Sequence, residues 1–227
     1  MSIAVHKLRN NYISVASIAK ASYGGSQMRS EKPVIKRCGC GLIAACDLLL
    51  YLHRHHKDCN SDLFEGLTVD EAVPISTYNA LLDKLSPLFP IIPPFGISGP
   101  LLVLGLNMFF RQNHYPYKAL WAMNETALWR RTKYMLEQDF PVIISVGQNL
   151  PFIWQKHKLN LYVERGGQKI KASSVKAHFM TATAIDDEWL CVSSWGRKYY
   201  INIKEYDSYV REHSSTLINN IVYIYRK

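Results

Sequence analysis

A chain of 227 residues, 48% of them hydrophobic, can bury a sizeable core, so disordered and collagen-like classes are excluded. The net charge of +9 and the pI of about 9.3 arise from 27 Lys and Arg scattered without a block of like charge, the pattern of a basic solvated surface. Five cysteines, an odd number, and a beginning without a basic segment leading into an apolar run predict reduced thiols in a cytoplasmic protein, and the longest apolar runs, Gly41 to Leu52 and Leu101 to Phe110, fall short of the roughly 20 residues a membrane span needs.

Residues 1–36 are polar and irregular, with Gly24-Gly25-Ser26 marking a loop, and predict an arm that wraps over a surface before the chain reaches Cys38. Arg37 to Leu52 follows, a glycine-flanked pair of thiols running into an almost wholly apolar segment. The long stretch without Pro or Gly after Gly41 predicts a helix, and apolar residues on all its faces predict that it is buried. Asp47 is the exception, because a carboxylate in so apolar a helix requires a buried partner. His53-Arg54-His55-His56-Lys57-Asp58-Cys59 has metal-binding residue types but no established zinc spacing, and reads as a helix end emerging into water, with no metal expected.

Ser76 predicts the cap of a helix through Leu88, with Leu81, Leu82, Leu85 and Leu88 at helical spacing, before Pro87, Pro90, Pro93 and Pro94 break the pattern. Gly99-Pro100 opens a further helix with Leu101, Leu104, Met108 and Phe109 as its apolar face. Another, capped by Thr126, runs to about Gln138 with Leu128, Met135 and Leu136 inside and Arg130, Arg131 and Lys133 outside. From Pro141 the period becomes two. Strands are predicted at Val142–Val146, at Leu161–Val163 and Lys169–Lys171 around a Gly166-Gly167 hairpin, at His178–Ile185, and at Trp189–Val192 after an Asp186-Asp187-Glu188 turn. Tyr199–Ile201, a helix over Ile203–Glu212 and a last strand over Ile221–Tyr225 complete the chain. Helices followed by hairpin-connected strands predict an α+β fold, a single domain with a helical lobe over about 1–140 and an antiparallel sheet lobe over about 141–227.

A thiol at the start of a helix meets backbone N–H groups and the positive end of the helix dipole, both of which favour the thiolate. The same stretch also reads as a core helix with incidental thiols, since free Cys is often buried. The nucleophilic reading requires an imidazole to manage the proton and a third group to orient it. Of the eight histidines, His178 alone begins an apolar strand, where a sheet would hold the ring. The returning strand ends in Ser193-Ser194-Trp195-Gly196 and places Ser193 or Ser194 to accept the imidazole Nδ1 hydrogen, with Trp195 shielding that bond from water.

In order and spacing, Gly39-Cys40-Gly41, Pro141-Val142-Ile143-Ile144, His178-Phe179-Met180 and Ser193-Ser194-Trp195-Gly196 resemble papain-like cysteine peptidases, and more nearly the compact bacterial leader peptidases that cut after double glycine. The similarity spans roughly residues 30 to 205. It implies Cys40 as nucleophile, His178 as general acid/base and Ser193 in the place of Asn or Asp, with Cys38 as a rival nucleophile because it too precedes glycine. Two departures accompany it. The third residue is a neutral serine, and Val34 stands where the family carries an oxyanion-hole glutamine, Gln27 lying further upstream.

The expected function is therefore a cysteine hydrolase or acyltransferase acting on a peptide, amide or thioester, without a cofactor. Gln148, Asn149 and Trp195 are expected as substrate-binding residues. A catalytically impaired protein of the same fold that binds a peptide or leader is the alternative, motivated by Val34 and Ser193. A third reading, a nucleic-acid binder, has 14 tyrosines among scattered Lys and Arg behind it, and salt-insensitive binding would count against it.

Overall fold

The computed structural model describes residues 4–16, 21–68, 71–122, 127–147 and 157–227. The thiol-bearing stretch forms two helices in succession, α1 (Pro33–Cys38) and α2 (Cys40–His55), with Gly39 closing the first and opening the second. Pro33 starts α1 because its missing N–H would lack a helical partner there and its φ is already helical. Every residue from Gly41 to Leu52 is buried, as the all-round apolar sequence requires. At roughly 2 kcal/mol per fully buried leucine, Leu42, Leu48, Leu49, Leu50 and Leu52 make α2 the axis of the core.

The fold is mixed α+β. Alongside α1 and α2 stand α3 (Ile75–Leu85), α4 (Gly99–Gln112), α5 (Leu128–Glu137) and α6 (Ile203–His213). The large sheet is nine-stranded among the described residues, built from β1 (His6–Lys7), β5 (Tyr117–Trp121), β6 (Val142–Val146), β7 (Leu159–Arg165), β8 (Gln168–Val175), β9 (His178–Ile185), β10 (Trp189–Ser194), β11 (Arg197–Asn202) and β12 (Ile221–Arg226). Its order is β5-β12-β6-β9-β10-β11-β7-β8, with β1 pairing the far end of β9, and neighbouring strands run antiparallel. β9 is interior, paired on both sides and packed on α2, which is why its sequence is apolar almost throughout. The β7–β8 hairpin turns on Gly166 and Gly167 at φ 55 and 78, both in the left-handed region that a two-residue hairpin of this kind requires. A small sheet of β2 (Ser14–Ala16), β3 (Ala21–Tyr23) and β4 (Val73–Pro74) has β2 and β4 parallel.

Several local expectations change. Residues before 140 also supply β1 to β5, of which β1 and β5 join the large sheet. Ser76 lies inside α3, whose N-cap is Pro74. α4 is capped by Ser98, which accepts from the Leu101 N–H, and buries Leu102, Leu106, Phe109 and Phe110, leaving Leu104 exposed. Thr126 lies outside the described residues. Among the described residues no helix is long and apolar enough to cross a membrane.

Candidate active site

Two glycines fix the elbow at which α2 begins. A side chain at Gly39 would bring its Cβ within 2.5 Å of the Ile35 carbonyl oxygen, and one at Gly41 would lie 2.2 Å from Ile97 Cγ2. Cys40, between them, is half-buried and forms the first residue of α2. Burial pushes its thiol up, against the backbone N–H groups of Phe179, Gly41 and Cys40 itself, which pull it down. The helix start thus supplies the expected donors, but desolvation outweighs them and the resting thiol is protonated. Cys38, also half-buried, donates to the Pro94 carbonyl oxygen at 3.5 Å and lines neither of the cavities that Cys40 lines.

His178 is buried at the start of β9, and burial lowers its pKa to about 4. Its Nε2 lies 2.7 Å from Ser194 Oγ. The imidazole partner is therefore Ser194 rather than Ser193, and the nitrogen engaged is Nε2 rather than the expected Nδ1. Ser193 Oγ instead donates to the Tyr23 carbonyl oxygen at 2.8 Å. The reason is a bulge. Cys191 opposes Ala184 but Val192 opposes Ala182, so Thr183 is skipped. One extra residue on β9 reverses which residues of β10 share a face with His178, moving that place from Ser193 to Ser194. Trp195 follows at φ 50, an uncommon conformation for an aromatic residue, and its ring stacks on the imidazole at 4.7 Å and 27°. The indole thus lies against the imidazole that Ser194 faces.

Cys40 and His178 line the same two cavities. The smaller, about 10 Å³, has room for roughly one water molecule and is walled also by Gly25, Gln27, Asp47, Ser193, Ser194 and Trp195. The larger, about 440 Å³, is an apolar chamber between Phe95, Ile97, Leu101, Trp121, Val146, Phe179, Leu217 and Ile218. Among the described residues, none that lines the chamber carries a full charge, although the chain as a whole is +9. Exposed Ile92, Phe95 and Leu217 belong to its wall, and Trp121 Nε1 donates to the Leu217 carbonyl oxygen at 3.0 Å, fixing one side. Gln148 and Asn149 lie outside the described residues.

No protein-family model, curated protein or solved structure matches this chain.

Two residues enter the site that spacing did not place there. Val34 is exposed on α1, and Gln27, buried in a 3₁₀ turn over Gln27–Arg29, lines the small cavity instead. Its Nε2 donates to the Lys36 carbonyl oxygen at 3.0 Å, which leaves the second amide hydrogen unassigned. Asp47, the carboxylate expected to need a partner, accepts from Tyr78 Oη at 2.7 Å, from Tyr12 Oη at 3.1 Å and from the Gly25 N–H, which is 3.1 and 3.0 Å from its two oxygens. Burial raises its carboxyl to about 6, against the pull of Tyr78, Gly25 and Tyr12. The histidine run at the other end of α2 is taken up locally: His53 Nδ1 lies 3.3 Å from the Cys59 carbonyl oxygen and His56 Nε2 lies 2.9 Å from that of Asp139. Among the described residues no group of three or more such side chains is placed to hold a metal.

Proposed function

We propose that this protein is a papain-like thiol hydrolase or acyltransferase that forms an acyl-enzyme on Cys40 from a peptide, amide or thioester bearing an apolar group. The observation that carries the reading is that Cys40, His178 and Gln27 face one small cavity while Cys40 and His178 also form a wall of the apolar chamber. With Nε2–H donating to Ser194, Nδ1 is the nitrogen left to accept the Cys40 proton. Because burial keeps both groups neutral at rest, proton transfer accompanies attack: Sγ bonds to the carbonyl carbon, the proton passes to Nδ1, and the carbonyl π electrons move to oxygen. The Cys40 N–H and the free amide hydrogen of Gln27 are the candidate donors to that oxyanion, each of a kind worth about 3 kcal/mol of transition-state stabilisation. The imidazolium then protonates the leaving nitrogen or sulfur, and water or an amine resolves the thioester.

A non-catalytic peptide-binding role has one observation in its favour, that desolvation holds Cys40 protonated and His178 neutral. Alkylation separates the two. Iodoacetamide is expected to modify Cys40 faster than the other four cysteines, and His178→Ala is expected to slow it at least tenfold. Equal labelling of all five, or indifference to the substitution, removes the catalytic reading.

A further inference from the structure

Asp47 is an expensive residue in its place. It is buried in the central helix, and its partners are two phenols and one amide with no cation among them. A leucine would fill the space without that desolvation cost but would leave Tyr78 Oη, Tyr12 Oη and the Gly25 N–H without an acceptor, so apolar packing gives no account of the carboxylate. Its contacts do. The segment from Tyr23 to Gln27 is a strap laid across the site. Tyr23 N–H donates to the Gly196 carbonyl oxygen at 3.0 Å, Gly24 N–H to that of Ile13 at 2.7 Å, and Gly25 N–H to Asp47. The strap lies flat on the carboxylate because it carries two glycines there. A Cβ at Gly24 would lie 2.5 Å from Asp47 Oδ2 and 2.3 Å from Ser193 Oγ, and one at Gly25 would lie 1.9 Å from Tyr78 Oη. Two residues beyond that clamp stands Gln27, on the wall shared with Cys40 and His178.

We infer that Asp47 is a positioning residue for the reaction: by clamping Gly25 it sets where the Gln27 amide stands beside Cys40. The inference rests on the acyl-transfer reading above and adds to it a carboxylate, two turns along α2 from the nucleophile, that acts on the oxyanion rather than on the histidine.

Two reagents separate these roles. Iodoacetamide alkylates sulfur without forming an oxyanion, so it reports the Cys40–His178 pair alone. p-Nitrophenyl acetate acylates sulfur through an oxyanion and releases p-nitrophenolate, with Cys40→Ser as the background. Gln27→Ala is expected to slow acylation by roughly a hundredfold. Asp47→Asn is expected to slow it at least tenfold while changing the Cys40 alkylation rate by less than about twofold. Because Asp47 acts through Gln27, the double variant is expected to be no slower than Gln27→Ala. Should Asp47→Asn fold poorly, Tyr78→Phe removes one donor to the carboxylate and is expected to show a smaller loss in acylation only. Parallel losses with both reagents, or losses that add in the double variant, would overturn the clamp. Unselective alkylation of the wild type would overturn the thiol reading itself, an outcome distinct from failure of the clamp.

Discussion

Two buried aspartates tie the N-terminal arm to the body of the protein, under opposite electrostatic conditions. Asp139, which follows α5, accepts from Tyr51 Oη at 2.6 Å, from the Arg9 N–H at 2.7 Å and from Asn10 Nδ2 at 2.6 Å, with the Asn10 N–H at 3.4 Å. Burial pushes its carboxyl up, but these donors pull harder and it stays below the usual carboxylate range. Asp47 receives two phenols and one backbone N–H in a drier place, and there burial prevails. The difference lies in depth of burial first and in donor supply second. An irregular arm can turn several N–H groups onto Asp139, whereas a carboxylate inside the central helix meets only what is carried to it. The first arrangement is a stabilising clamp. The second holds a strap in place at a cost, beside the thiol.

The largest effect expected from this contrast is on folding. Asp139→Ala leaves Tyr51 Oη and the N–H groups of Arg9 and Asn10 without their acceptor, and urea unfolding should record a loss of about 4 kcal/mol, roughly 1 to 3 kcal/mol for the buried Tyr51 hydroxyl and about 1 kcal/mol for each part-buried N–H. Asp47→Leu also strands three donors but removes a carboxylate whose burial is uncompensated, so its loss should be nearer 2 kcal/mol. A greater loss at Asp47 than at Asp139 would break the comparison.

The next effect is a pair of opposed pH slopes. Asp47, raised to about 6, binds its proton more tightly in the folded state, so its contribution to stability falls as pH rises from about 4 to 6. His178, lowered to about 4, is charged more readily in the unfolded state, so its contribution rises between about 4 and 6.5. Each is on the order of 3 kcal/mol, and in the wild type they offset. Measured against wild type at each pH, His178→Ala should lose stability as pH rises through that window and Asp47→Asn should gain it. Asp139→Asn should instead differ most at neutral pH and converge with wild type in acid, because a depressed carboxylate gives up its contribution only as pH falls through its folded pKa. Matching slopes for Asp47→Asn and Asp139→Asn would mean that the two sites do not differ.

What the sequence made legible follows the same division between local and delivered structure. α2, β6, β9 and α6 announce themselves by long apolar periodicity that their own residues satisfy. β1, of two residues, and β5, of five, are strands only because β9 and β12 lie beside them, pairings that no local pattern carries. Cys40 and His178 could be singled out in the sequence because each begins an element, and both line the same two cavities. Gln27 could not, because its approach depends on a 3₁₀ turn and α1 folding the chain back so that its amide reaches the Lys36 carbonyl. The strand pattern leaves Ser193 and Ser194 both open as the partner, and the resemblance points to Ser193, whereas a bulge at Thr183, invisible in β9's own sequence, changes the parity between the two strands in favour of Ser194.

The smallest effects lie at that serine pair, which separates the strap from the imidazole within adjacent residues. Ser193 Oγ holds the strap through Tyr23, as Asp47 holds it through Gly25, whereas Ser194 Oγ faces His178. Each is a neutral hydrogen bond of about 1 kcal/mol, close to a fivefold change in rate where it acts on the reaction. Ser193→Ala should therefore slow p-nitrophenyl ester acylation about fivefold and leave Cys40 alkylation unchanged, since it loosens only the path to Gln27. Ser194→Ala should slow alkylation as well if His178 accepts the thiol proton as proposed, since the imidazole loses its orienting partner. The reverse pattern would return the third position to Ser193 and detach the strap from the chemistry.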